Sequence, residues 1–501
     1  DQAEAKAAIA RGEEPTPKPR SRFELTPEQQ QQVDSDPRVV TARRELARLM
    51  ANTQQTSLLD TITAVRRMGL LTGVKTMKRN FQSNLSFAAM EEVARVPGVL
   101  IDYALSLRSK NRTVALDASG MKHALTTGVA NGLRDARVVL SQGMTDAELA
   151  RGEFPKEINS KYIPEFANVA VRKVFRFQEA QDKPFFNYAY ERALHEQMSL
   201  AKTESPTAQM ELNAVASAEY ATFKSQNMLS SAVDGGKRAI EYVGDQADKL
   251  TGGRGGAAAA KALNYSIDNV LLFKKTPSNV YMRLLDYSGG SFIRAAWHTK
   301  ELFKDGLTPE HQRAISMGIS RGFVGGAMVY LGYQLGKRML ATGIRDDHQG
   351  QNMADEAIGR VPGAVLIGGR WRQLMGISPF GNLIAVGASL YSEENKSLKD
   401  IAKRPWNIAA VATKTALEQP FAKGAKDLLD ALRTPGKRTQ SFVSSVAQSF
   451  VPTMAADVAA SIDAASGGPR RDTQSSDGLA SISAGVKNRI PGLRQTLPPR
   501  L

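Results

Sequence analysis

There is no cysteine among the 501 residues, and that single absence removes three kinds of chemistry. Disulfide staples, thiol nucleophiles and cysteine-ligated zinc are all excluded. A thiol-free chain tolerates reducing and oxidising compartments alike, which suits a protein made in a cytoplasm and later exposed outside it. Histidine is scarce at five residues, and none sits at ligand spacing from another along the sequence. His195 opens "HEQMS", but the second histidine that a zinc-protease helix needs one turn later is Ser199. "TGGRGG" (Thr251 to Gly256) lacks the Lys-Ser/Thr ending of a phosphate loop and reads as a flexible joint. Asp346, Asp347 and His348 in "RDDHQ" read as a solvated loop. The chain therefore reads as a non-enzyme, with no catalytic residue, cofactor or metal site expected.

Acidic residues are outnumbered: 50 Asp and Glu against 66 Lys and Arg leave a formal charge of +16. Such a surplus attracts nucleic acid, acidic headgroups or an acidic partner. Hydrophobic residues at 42 % and charged residues at 23 % suit folded protein, on a length that admits several domains. The first residue is Asp1 and no charged-then-apolar leader follows, so a processed product or an excised part of a longer chain is expected.

Alternating strand patterns are scarce, and the expected fold class is all-α: an elongated multi-helix assembly with flexible N- and C-terminal segments. Residues 1–56 read as a flexible arm and a leading helix from about Pro37, with Val39, Val40, Leu46 and Leu49 as a weak apolar stripe. An N-terminal helical domain is expected over 57–250, the joint over 251–263, a C-terminal helical domain over 264–463 and a linker-like tail over 464–501. Leu58, Leu59, Ile62 and Val65 keep a helical period. Leu85, Ala88, Ala89, Val93 and Val96 form a stripe that should end at Pro97, with Val99, Leu100, Tyr103 and Leu107 on a new helix. Phe166, Val169, Ala170, Val174 and Phe177 give a further stripe. Asp182 and Pro184 should then cap and open the next helix, with Phe186, Tyr190, Leu194, Met198 and Ala201 along one face.

Two uncharged segments stand out in the second half. Gly322 to Gly336 would span about 22 Å as a helix, short of a bilayer core of roughly 30 Å. Gly318, Gly322 and Gly326 recur every fourth residue, as do Gly332 and Gly336, a spacing that lets helices approach closely in water or lipid. Gln373 to Ser392 is longer but interrupted by Pro379 and Asn382. Two buried helices, or a conditional membrane hairpin flanked by Lys337 and Arg338, are the readings open here. Earlier, "GLLTGVKTMKRNFQSN" (Gly69 to Asn84) places Lys75, Lys78 and Arg79 on one helical face. That face is either a solvated surface or a contact for phosphates or headgroups; one aromatic, Phe81, gives no basis for reading bases.

Several segments together are similar to a known family. "GLLTGVKTMKRNFQSNL", "FRFQEAQDKPFFNYAYERAL", "FKKTPSNVYMRLLDYSGG", "SPFGNLIAVGASL" and "RIPGLRQTLP" occur in the order seen in large polyvalent protein-associated domains of phage and mobile-element polypeptides. The resemblance runs over roughly residues 57 to 501 and marks Thr76, Asn80, Lys275, Thr276, Pro277 and Asn279 as family positions, with structural roles expected. Chains of that family usually continue beyond the point where Leu501 stops. The resemblance implies an internal virion protein of a short-tailed phage, packaged in the capsid and ejected with the genome. In the host envelope it would contribute to an oligomeric conduit for DNA. Expected partners are further copies of the chain, other virion, portal or tail proteins, DNA without sequence preference, and host membrane lipids. A helical interaction module of a mobile-element polyprotein and a pore-forming membrane protein are the alternatives.

Overall fold

The computed structural model describes residues 33, 36–53, 55–145, 148–149, 158–251, 255–258, 260–261, 264, 275–288, 290–292, 295, 308–343, 359–394, 447–465, 471–473 and 478–499. The arm before residue 33, the "RDDHQ" loop, joint residues 252–254, 259 and 262–263, and tail residues 466–470 and 474–477 lie outside them. The fold is all-α, with one two-stranded hairpin among the described residues.

Two compact units are present. The smaller contains residues 1–55 and 143–159. Its helix α1 (Pro37–Thr53) starts after Asp36, whose carboxylate accepts from the Arg38 amide at 2.8 Å. Leu46 and Leu49 on α1 are exposed. In its second segment Thr145 and Glu148 form a reciprocal capping box, beside the buried pair Met144 and Leu149.

The larger unit combines residues 56–142 and 160–501. It contains α2 (Leu58–Leu71), α3 (Val74–Ser109), α4 (Ala118–His123), α5 (Val129–Gln142), α6 (Glu165–Ala201), α7 (Ala208–Ala221) and α8 (Met228–Thr251). Then come α9 (Lys275–Tyr287), α10 (Pro309–Lys337), β1 (Ala364–Ile367), β2 (Arg370–Gln373), α11 (Phe380–Glu394), α12 (Thr453–Ala465) and α13 (Gly478–Lys487). Phe87 of α3 is fully buried at the centre, ringed by Tyr220, Phe223, Tyr287 and Phe380, with Met317, Val324 and Leu383 completing the core.

Neither expected proline break occurs. Pro97 lies inside the 36-residue α3 and Pro184 inside the 37-residue α6. An interior proline costs roughly 3 kcal/mol of helix stability, so tertiary packing must outweigh it. At Pro97 the neighbouring Gly98 lets α10 approach, with Met317 Sδ 3.0 Å from where a Cβ would lie and the Ser320 hydroxyl donating to the Ala94 carbonyl. At Pro184 the bare backbone of Gly132 seats against residues 183–184. Asp182, expected as a cap, instead accepts from Asn84 Nδ2 at 3.0 Å.

Much of the apolar stripe on α2, on α3 and on the start of α6 is turned outward. Leu58, Leu59, Leu85, Val93, Val96, Leu100, Tyr103, Leu107, Phe166 and Phe177 are all exposed. The buried residues of these helices include Thr61, Arg66, Asn84, Arg95, Asp102 and Asn168. The hairpin was also unforeseen. Gly368 and Gly369 adopt φ of 58° and 73°, the pair of left-handed residues that a two-residue turn with matching twist requires.

The two uncharged segments pair with each other. On α11 every residue from Phe380 to Leu390 is buried, and α10 lies against it. Gly332 sits on the Ile384 carbonyl, Gly336 on Ala388, and Gly322 on the Phe292 ring, while Gly318 approaches Ser291 O. Gly326 does not belong to this face: it is exposed with open space around it, and Gly325 makes the close contact, on the Tyr287 carbonyl. The true spacing of four, then three, follows a helix pitch of 3.6 residues. Gly332→Ala should therefore cost about 1–3 kcal/mol, because backbone opposes the added methyl. Gly326→Ala should gain roughly 0.5–1 kcal/mol by helix propensity. Urea midpoints at constant m-value check the contrast, and equal effects would contradict the assignment.

Candidate functional site

The Gly69 to Asn84 segment is anchored by packing contacts and has a charged exterior. Gly69 lies against the Ser449 carbonyl, and its own carbonyl accepts from Thr453 Oγ1 at 2.7 Å. Gly73 faces the Thr453 methyl, with Thr76 beside it. Asn80 donates to Gln178 Oε1 at 3.1 Å, a side-chain partner on α6. Lys75 and Lys78 are exposed, whereas Arg79 is half-buried and its pKa is lowered by desolvation. Lys337 and Arg338 are exposed at the far end of α10, so the five cationic candidates do not form one patch by sequence adjacency.

Helix α9 begins at Lys275, which places Thr276 and Pro277 in its first turn, where a missing amide proton is harmless. Asn279 is fully buried and donates to the carbonyls of Phe223 at 3.0 Å and Ser225 at 2.7 Å. It thereby holds the turn after α7, in which Phe223 takes the left-handed φ of 58°.

The inward face of α3 carries charges beside the apolar Phe87 and Ala94. Glu196 of α6 has 0 % exposure and receives Arg95 Nη1 at 2.6 Å and Arg313 Nη2 at 2.8 Å. Its other oxygen accepts the Ala115 amide at 3.1 Å. One turn away Glu92 pairs with Arg192 at 3.1 Å, and Glu91 takes two bonds from Arg321 at 3.0 and 2.9 Å plus the Tyr287 hydroxyl at 2.7 Å. Asp102 collects Arg112, the Thr113 amide and Gln312, at 2.9, 3.0 and 2.8 Å. Helices α3, α6 and α10 thus meet through paired ions, with Arg95 Nε and Arg192 Nη1 buried without a hydrogen-bond partner among the described residues.

Burial alone would raise the Glu196 pKa, but Arg313 and Arg95 overcome it and hold the carboxyl far below its ordinary range. Burial opposes Glu91 in the same way, and Arg321 with the Tyr287 hydroxyl brings its pKa down. Asp102 is also lowered: the hydrogen bonds from Thr113, Gln312 and Arg112 exceed the desolvation that raises it. Asp182 goes the other way, pushed up by burial. Burial and the Glu92 charge push Tyr188 up to about 12.

With its polar side inward, α3 presents a continuous apolar stripe outward. Val93, Val96, Leu100, Tyr103 and Leu107 follow alternating steps of three and four residues, the spacing of a helix-pairing seam. Leu100 is 68 % and Leu107 71 % exposed. Met121, Leu125, Leu133 and Leu140 add exposed apolar side chains on α4, α5 and the turn between them.

A second cluster joins α6 to the segment after α3. His123 ends α4 and is followed by a π-helical turn, Ala124–Gly128, while Glu191 and His195 are one turn apart on α6. The two imidazole centroids lie 4.2 Å apart, and His123 Nε2 is 3.6 Å from Glu191 Oε2. Sequence spacing gave no sign of this meeting, because His123 comes from a different helix. "HEQMS" thus divides its chemistry: His195 turns to this cluster and Glu196 to the buried ions.

Fold and geometry together define an all-α protein built on a buried ion network, with an apolar outer stripe. Comparison with protein-family models, curated proteins and solved structures finds no match.

Glu196, Glu91 and Asp102 all titrate below their unfolded values, so their stabilisation is complete above about pH 4.5 and drains as pH falls through the folded values. Asp182 acts in the opposite sense, favouring the fold when protonated, and is outnumbered. Thermal stability should drop on acidification from about pH 5 to 3. Glu196→Gln should cost roughly 3 kcal/mol near pH 7, the low end for an orphaned buried ion because Arg313 is partly exposed, and should flatten the acid dependence. Melts of both proteins across that range check this, and a gap that does not narrow with acid would contradict it.

Proposed function

We propose that this chain is a non-catalytic assembly protein whose copies associate through the outer stripe of α3. We infer its setting from the family resemblance: a phage virion protein ejected with the genome, contributing to an oligomeric conduit for DNA across the host envelope. The observation that carries the reading is the exposed seam Val93, Val96, Leu100, Tyr103 and Leu107 on a helix anchored internally by ion pairs. Contiguous apolar surface of this kind marks an interaction site, and three-and-four spacing suits pairing with a like helix. The charge of +16, with Lys75 and Lys78 exposed, supports contact with DNA through phosphates and without sequence preference.

A membrane-inserting protein is the second reading, favoured by α10. Among the described residues it is the helix long and apolar enough to cross a bilayer, and Phe323, Tyr330 and Leu331 on it are exposed. Its apolar stretch is half buried against α11 and other core elements, which supports the assembly reading first.

Sedimentation velocity over a range of concentrations tests the assembly. The wild-type chain should self-associate, and Leu100→Glu with Leu107→Glu should weaken association at least about tenfold without lowering the melting temperature. A wild-type monomer at every concentration, or unchanged association in the double variant, would overturn the reading. Flotation with liposomes by the double variant, equal to wild type, would favour the membrane alternative.

A further inference from the structure

His123, Glu191 and His195 are brought together by devices that nothing in the ion network requires. Gly120 is buried, and a Cβ there would fall 2.8 Å from the His195 Cβ. A Cβ on Gly128 would lie 3.2 Å from Glu191 Cγ, and one on Gly132 would strike the backbone of Pro184. These three glycines press α4, the π turn and α5 onto α6, one on the N-terminal side of His123 and two beyond it. The π turn begins directly after His123 and widens the helix there; such turns recur at functional sites.

The distances do not describe a finished hydrogen-bonded pair. At 3.6 Å, His123 Nε2 and Glu191 Oε2 are beyond hydrogen-bond length. One donor atom from each of the three residues lies within 4.8 Å of the others. Ligands bonded to a tetrahedral zinc at about 2.0–2.1 Å stand roughly 3.3 Å apart, so a small side-chain adjustment closes the set. All three side chains are half-buried rather than sealed in the core. Two imidazoles and one carboxylate suit zinc and its neighbours in the first transition row; magnesium and calcium prefer all-oxygen sites.

We propose that His123, Glu191 and His195 bind one divalent transition ion of the zinc class, with water completing the coordination. The ion ties the Ala118–Gln142 segment to α6 and so adds a metal clip to a chain that has no disulfide. Binding requires neutral imidazoles and an ionised carboxylate, and it does not depend on the assembly reading.

Calorimetric titration of the metal-stripped full chain with zinc chloride tests the site. One ion per chain is expected, and His123→Asn or His195→Asn should each weaken binding about 100-fold or more. His311→Asn, on α10, should leave binding unchanged. Absence of a one-to-one event, or binding that survives both cluster substitutions, would overturn the proposal. If either variant fails to fold, diethyl pyrocarbonate modification of the wild-type chain decides: zinc should protect His123 and His195, and equal modification with and without zinc counts against the site.

Discussion

A carboxylate removed from water must be answered by cations, and Glu196 is answered by one arginine from α3 and one from α10. The rest of the larger unit follows from that meeting. Arg95 can reach Glu196 only if the Glu91–Asp102 side of α3 faces inward, where Arg321, Arg192 and Arg112 complete the pairing. Phe87 and Ala94 share the same side and bring the aromatic cluster and Ser320 against it. Buried ions contribute little net stability compared with apolar packing, but breaking one partner is costly, so they specify which face of a helix points in.

That choice dictates the exterior. Helix α3 also bears Val93, Val96, Leu100, Tyr103 and Leu107, and with the polar side committed inward these have nowhere to go but out. The apolar surface that an ordinary helix would spend on its own core is exposed. The outward stripe and the internal electrostatics are therefore two sides of one orientation of α3. The glycine contacts of α10 with α11 serve the other end of the core, where backbone approaches backbone at Gly332 and Gly387. On α11 every residue from Phe380 to Leu390 is buried, whereas half of the apolar stretch of α10 stays outside.

The helical class, the leading helix at Pro37 and a helix in each of the two uncharged segments were legible, since periodicity reports local geometry directly, whereas their packing on each other was one of the readings left open. The facing of α2, α3 and early α6 was not. Periodicity finds a stripe at Leu100 and Leu107 but assumes that apolar means inward, and only tertiary partners such as Arg313 reverse it. Pro97 and Pro184 read as breaks for the same reason: the cost of interior proline is local, while the packing that outweighs it is not. The hairpin had a legible signal in "AVLIGGRWRQ", a Gly-Gly pair following the apolar run Ala364 to Ile367. The meeting of His123 with His195 had none, being set by Gly120 and Gly128 across two helices. Gly326 was misplaced because a step of four drifts off the face that steps of three and four maintain.

The inverted orientation of α3 is the central claim, and the absence of native cysteine makes it directly measurable. Single-cysteine variants at Ala94, at 0 % exposure, and at Leu100 and Leu107, at 68 % and 71 %, can be labelled with a maleimide in dilute native solution. The account predicts rapid labelling at 100 and 107, slowing as concentration rises and copies associate, with Ala94→Cys protected until the chain is unfolded. Rapid labelling at 94 together with protection at 100 and 107 under dilute conditions would contradict it.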